Sequence, residues 1–139
     1  MKYIKYTVSL ILLMLTPLLI ITNHYVVNAE KAPQPTTVYV TLAPKGGEYK
    51  INSSVTTFSK GTPYKFVVRN AGSKKHDWLV MPRGETDVRK ALVAVEEDDL
   101  LPNAVVNRDL TFSKAADLEF ACHYRNHYEK GMKLPISVS

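Results

Sequence analysis

Three side chains of the kind that bind soft metals fall within 11 residues near the C-terminus: Cys122, His127 and Met132, spaced Cys-x4-His-x4-Met. A thiolate and a thioether beside an imidazole select copper or zinc among the common metals. Zinc wants four strong ligands from Cys, His or carboxylate, and a thioether is a poor one. On copper a thioether suits a weak axial position, completing a trigonal His2Cys set. That set needs one more histidine. Of the four in the chain, His24 lies in an apolar N-terminal stretch, and His76, in the context Lys75-His76-Asp77-Trp78, is the candidate.

Strand parity tests the assignment. Successive side chains of a strand point to opposite faces. Counting back from Cys122, Phe120 and Leu118 share its face, while Glu119, Ala121 and His123 take the other. Met132 shares a parity with Leu134, Ile136 and Val138. Cys122 and Met132 are therefore expected to point into a core, with His127 in the loop between them and His123 pointing outward. The bland alternative is a core Cys and Met with surface histidines, coinciding by chance.

The elements that must position these residues read as short strands. Thr37–Leu42 alternates, with Val38, Val40 and Leu42 on one face; Tyr64–Arg69 alternates likewise, and Trp78–Met81 is apolar on both faces. Shorter runs lie at Tyr49–Ile51 and Val55–Phe58, with strand character again at Val105–Phe112, Leu118–His123 and Met132–Val138. Turn signals such as Lys45-Gly46-Gly47-Glu48 and Lys60-Gly61-Thr62-Pro63 separate them. Asp87–Val95 fits a helix or a strand, and Glu96–Asp99 a solvated acidic turn. The pattern predicts an all-β sandwich or barrel.

The first 29 residues read as a signal segment: a basic start, an apolar run from Thr7 to Thr22, and Val27-Asn28-Ala29 before Glu30. The alternative is an uncleaved membrane anchor. The expected organisation is a signal segment at 1–29, a Pro-containing linker at 30–36 and one domain at 37–139. Only Lys2 and Lys5 of the 18 bases precede residue 30, and all 13 acids lie within 30–139, so the body carries +3. That charge, with no basic run longer than two residues, argues against a nucleic-acid-binding arm. One cysteine excludes a disulfide framework.

With His76, Cys122, His127 and Met132 in this order, the sequence resembles the cupredoxins, the small blue copper proteins of the plastocyanin and azurin type. Its Cys-x4-His-x4-Met loop is like that of rusticyanin. The Phe120-x-Cys122 entry and the Gly131-Met132 pair also fit, whereas Arg125-Asn126 stands where many relatives have Pro-Gly. The resemblance implies a Greek-key β-sandwich or barrel holding one type 1 copper ion on those four residues. It implies an extracytoplasmic or periplasmic one-electron carrier, not an enzyme, monomeric, and membrane-attached only if the N-terminal segment stays. A copper storage, delivery or tolerance protein using the same ligands is the alternative. A domain assisting an oxidase and a metal-free adhesion module rank below it. A binuclear copper site is excluded, because it needs two bridging cysteines. His123 occupies a position that bears a trinuclear-site ligand in multicopper oxidases, but Ala121 stands where those need a second histidine, so His123 is expected at the surface. Asp77 either accepts a backbone N–H from the Cys122 loop or is a solvated loop acid. Tyr124, Tyr128 and Trp78 either surround the site or pack locally. Lys74, Lys75, Arg125, Lys130 and Lys133 are expected to form a positive rim, and hence to meet a redox partner with an acidic docking face, such as a cytochrome or an oxidase domain.

Overall fold

The computed structural model describes residues 33–139. The signal-segment and membrane-anchor expectations lie outside these residues. Among the described residues nine strands form two sheets: β1 (Thr36–Leu42), β2 (Ile51–Ser53), β3 (Thr57–Phe58), β4 (Pro63–Asn70), β5 (Trp78–Pro82), β6 (Val93–Val95), β7 (Val105–Thr111), β8 (Ala116–Ala121) and β9 (Lys133–Val138). One sheet has the order β2-β1-β4-β7, the other β3-β9-β8-β5-β6. Both sheets are open, so the sandwich alternative describes the chain and the closed barrel does not. Pairing is mostly antiparallel; β1 with β4 and β3 with β9 run parallel.

Alternation explains β1 and β4. Val38, Val40 and Leu42 face inward from β1, and Tyr64, Phe66 and Val68 from β4, all buried in one cluster. The opposite sheet contributes Trp78, Val80, Leu118, Phe120, Ile136 and Val138 to that cluster. Aromatic rings knit it together: Phe66 lies 5.3 Å from Trp78 and 5.8 Å from Phe120, and Phe58 meets Tyr64, Phe112 and Phe120. Pairs at such centroid separations contribute beyond their area burial.

Two expectations need refinement. The stretch Asp87–Val95 divides: a single 3-10 turn at Val88–Lys90, capped by the Asp87 carboxylate, precedes β6. The outward face of β8 is solvated at Asp117 but covered beyond it, where Glu119 and Ala121 are buried. Ala121 packs with Leu79, Met81 and Tyr128 in a second apolar cluster behind the five-stranded sheet. Glu119 survives there because its Oε1 accepts from the Tyr128 hydroxyl at 2.6 Å and from the Gly84 N–H at 3.1 Å, as a buried carboxylate must.

Candidate metal centre

Two loops at one end of the sandwich meet. The first, residues 71–77, joins β4 to β5 and carries His76. Asn70 shapes it: this fully buried side chain donates from Nδ2 to the carbonyls of Lys74 and Leu100, both at 2.7 Å, and accepts from the Gly72 N–H at 2.9 Å. The second loop, 122–132, joins β8 to β9. Its ends are pinned by the Cys122 N–H on the Met132 carbonyl and the Met132 N–H on the His127 carbonyl, both 3.0 Å. Gly131, at φ +91°, supplies the left-handed turn into β9 that other residues adopt only under strain. Arg125 takes a left-handed φ of 54° without glycine's freedom. The loops are braced together by Asp77, whose Oδ1 accepts the His123 N–H at 2.7 Å. Of the two readings of Asp77, the structure shows the bracing one.

His76, Cys122 and His127 come together here. The two Nδ1 atoms are 3.1 Å apart, and Cys122 Sγ lies 3.7 Å from His76 Nδ1 and 3.4 Å from His127 Nδ1. They form a group able to hold a metal ion. His76 and Cys122 are wholly buried and His127 is 3% exposed. A point equidistant from the three atoms lies about 2.0 Å from each, the length of a metal–imidazole bond and a little short of a metal–thiolate bond. The donor triangle thus has the size a metal ion requires. Met132 is buried in the main core cluster at the same end, and its backbone closes the ligand loop.

Electrostatics suit a cation. Burial pushes the Cys122 thiol far above its ordinary value, and the Asp77 carboxylate pushes it further. The N–H groups of Tyr124 and Asp77 oppose this, favouring the thiolate. Burial, and then the neighbouring His76, lower His127 to about 4. Burial also lowers His76, partly offset by Glu48. Both imidazoles are therefore neutral at pH 7, with lone pairs free to bind a metal, and a bound cation would reverse the penalty on the thiolate.

Sequence reasoning missed two residues, both from the loop between β1 and β2. Glu48 places Oε1 3.4 Å from His76 Nε2. The separation is long for a hydrogen bond, yet both atoms are buried and have no other partner among the described residues. With His76 Nδ1 turned to the metal point, its Nε2–H is left for Glu48. Gly72 makes room for this pair: a Cβ there would lie 3.2 Å from Glu48 Oε1, 3.3 Å from His76 Nε2 and 2.6 Å from the Ala43 Cβ. Tyr49 sets its ring edge-on to His127 at 5.1 Å, and Tyr124 does the same at 5.4 Å. Only the turn signal at Gly46-Gly47 hinted that this loop doubles back. Trp78 packs in the core and Tyr128 in the second cluster. His123 is not simply a surface residue: it is half-buried, stacked on Tyr128 at 4.3 Å, and points away from the triad.

No known family profile matches the chain, and no curated protein sequence matches it. Solved structures do match in fold. An auracyanin from Roseiflexus castenholzii superposes with a TM-score of 0.57 at 17% identity, over 77% of this chain and 99% of that one. Rusticyanin from Thiobacillus ferrooxidans gives 0.65 at 11% identity, over 78% and 79%. Auracyanin A from Chloroflexus aurantiacus, described as a "blue" copper protein, gives 0.59 at 16% identity, over 76% and 100%. The chain folds as a cupredoxin-type β-sandwich that carries a His76–Cys122–His127 metal-binding triad at one end.

Proposed function

We propose that the protein is an extracytoplasmic one-electron carrier holding a single type 1 copper ion. The observation that carries the reading is the closed triangle of one sulfur and two imidazole nitrogens, with edges of 3.1, 3.4 and 3.7 Å. His76 and His127 would supply Nδ1, Cys122 its thiolate, and Met132 a weak axial thioether. Copper so bound supplies a reversible Cu(II)/Cu(I) couple. The protein residues hold the donors nearly where both oxidation states need them. Pinned ends of the Cys122–Met132 loop, the Asp77 brace and the Asn70-organised loop keep them from relaxing, which keeps reorganisation small. The fold it shares with auracyanin and rusticyanin supports the reading.

The same donors would serve a storage or delivery protein, but burial of the triad favours the carrier. Copper passed between proteins needs an exposed ligand to begin the exchange, and here two ligands are fully covered and the third nearly so. The test is to add Cu(II) to the purified protein and record visible and EPR spectra. An intense absorption in the red with a narrow copper hyperfine splitting is expected. A colourless Cu(I) complex that releases copper readily to a chelator would overturn the carrier reading.

A further inference from the structure

His127 is the least buried of the three donors, and an open cavity reaches its ring. Four cations line that cavity: Lys74 and Lys75 from the first loop, Arg125 and Lys130 from the second. Among the described residues no carboxylate lines it. Lys74 Nζ and Lys130 Nζ both donate to the Tyr49 hydroxyl, at 3.0 and 3.2 Å, and both stand over its ring, at 5.0 and 4.6 Å. Two ammonium groups are thus gathered onto one phenol, whose pKa they lower. Among the described residues neither has a carboxylate partner, and nor does Arg125, which lies over Tyr124. Lys75 is the exception, paired with Asp98 at 2.6 Å. Lys133, expected in the same rim, is elsewhere, over the Tyr128 ring at 4.1 Å.

Resting on the electron-carrier reading, we propose that this cavity is the docking face for a redox partner protein presenting a cluster of surface carboxylates. Like charges held together without counterions favour an incoming anion. Tyr49 presents the ammonium groups of Lys74 and Lys130 beside the edge of His127, so a carboxylate paired with them brings the partner's surface within contact of a copper ligand. Lys74, Arg125 and Lys130 are exposed and none of the four cations is buried, which suits a broad protein face over a small captured oxyanion. Across the Tyr124–Arg125 pair the surface changes sign, with Glu96 and Glu97 lining the neighbouring cavity. The acidic partner is thereby confined to the His127 side.

Two measurements test this. In the first, the reduced copper-loaded protein gives one electron to hexacyanoferrate(III), leaving Cu(II) and hexacyanoferrate(II), or to tris(phenanthroline)cobalt(III), leaving the cobalt(II) complex. Between low and physiological salt the rate with the anion should fall roughly threefold or more, the range electrostatic steering allows. The rate with the cation should rise or stay level. Lys74→Glu with Lys130→Glu should flatten the anion's dependence. In the second, metal-free protein is titrated with poly-L-glutamate, and amide shifts should concentrate on Tyr49, Lys74, Arg125 and Lys130. A rate with the anion indifferent to salt, or shifts scattered over the surface, would overturn the docking face. Saturation of the same shifts by sub-millimolar inorganic phosphate at constant ionic strength would also overturn it, in favour of a small-oxyanion site. Failure to form the copper absorption sinks the carrier reading alone, and the poly-L-glutamate titration still decides this one.

Discussion

Replacing Asn70 by alanine removes three hydrogen bonds at once from the loop that carries His76. The lost contacts are two donations of 2.7 Å, to the Lys74 and Leu100 carbonyls, and one accepted at 2.9 Å from the Gly72 N–H. Each neutral hydrogen bond has a net worth of about 1 kcal/mol, so the direct loss is about 3 kcal/mol. The Leu100 carbonyl keeps only the His76 N–H, a long contact of 3.4 Å. For a body of this size 3 kcal/mol corresponds to a fall in melting temperature of roughly 12 °C. Urea unfolding of the metal-free protein measures the loss directly, with Asn52→Ala, at the exposed position of β2, as the control expected within about 0.5 kcal/mol. Asn70→Asp sharpens the test: it keeps the acceptor for Gly72 but sets a carboxylate against two carbonyls, so it should be worse than alanine. Because His76 sits six residues along the same loop, the copper-loaded Asn70→Ala protein should also lose metal faster to a chelator. A cost below about 1 kcal/mol, or aspartate tolerated better than alanine, would refute the claim that Asn70 holds this loop.

Cys122→Ser should abolish the red absorption, a thiolate-to-copper charge transfer, while His123→Ala, pointing away from the triad, should leave it nearly unchanged; the visible spectra decide. Met132→Leu should raise the reduction potential by removing a donor that favours Cu(II), and voltammetry showing no change would leave Met132 as core packing alone. Glu48→Gln should raise the potential too, since a carboxylate behind a ligating imidazole strengthens its donation to the more charged metal; a tenfold loss of preference for Cu(II) reads as about 59 mV. Tyr128→Phe keeps the ring against His123 and Lys133 but strips a 2.6 Å bond from buried Glu119, costing about 2 kcal/mol in chemical denaturation, with Glu119→Gln recovering part of it in a double-mutant cycle.

Cys122 and His127 were legible because they are rare residue types at tight spacing, His76 followed by elimination among four histidines, and strand parity placed Cys122 inward without any tertiary information. Alternation likewise marked β1 and β4, whose outer faces are largely polar. It did not mark β8 fully: Glu119 and Ala121 looked solvent-facing because nothing in the local pattern shows that Tyr128 and Leu79 cover them. The parallel pairing of β1 with β4 was hidden for a related reason. Parallel partners lie far apart along the chain, and no turn sequence announces them. Glu48 and Tyr49 escaped notice because their role depends on where the β1–β2 loop lands. A glutamate and a tyrosine after a Gly-Gly turn look like ordinary surface residues until His76 and His127 are found beside them.

The core of this sandwich draws only Cys122 from the triad. Its other aromatic and aliphatic residues close on one another across two sheets, and hydrogen bonds of Asn70, Asp77 and the Met132 backbone shape the ligand loops. Such contacts predict that folding and metallation are separable steps, which urea unfolding of the chelator-stripped protein checks. Small metal-nucleated domains collapse when their ion is removed; this chain is expected to mature empty and be charged afterwards. A vessel finished before it is filled exerts little editorial control over its contents. Divalent metals compete for such donors largely by intrinsic affinity and local supply, so fidelity of loading falls to whatever provisions the compartment in which the folded chain waits.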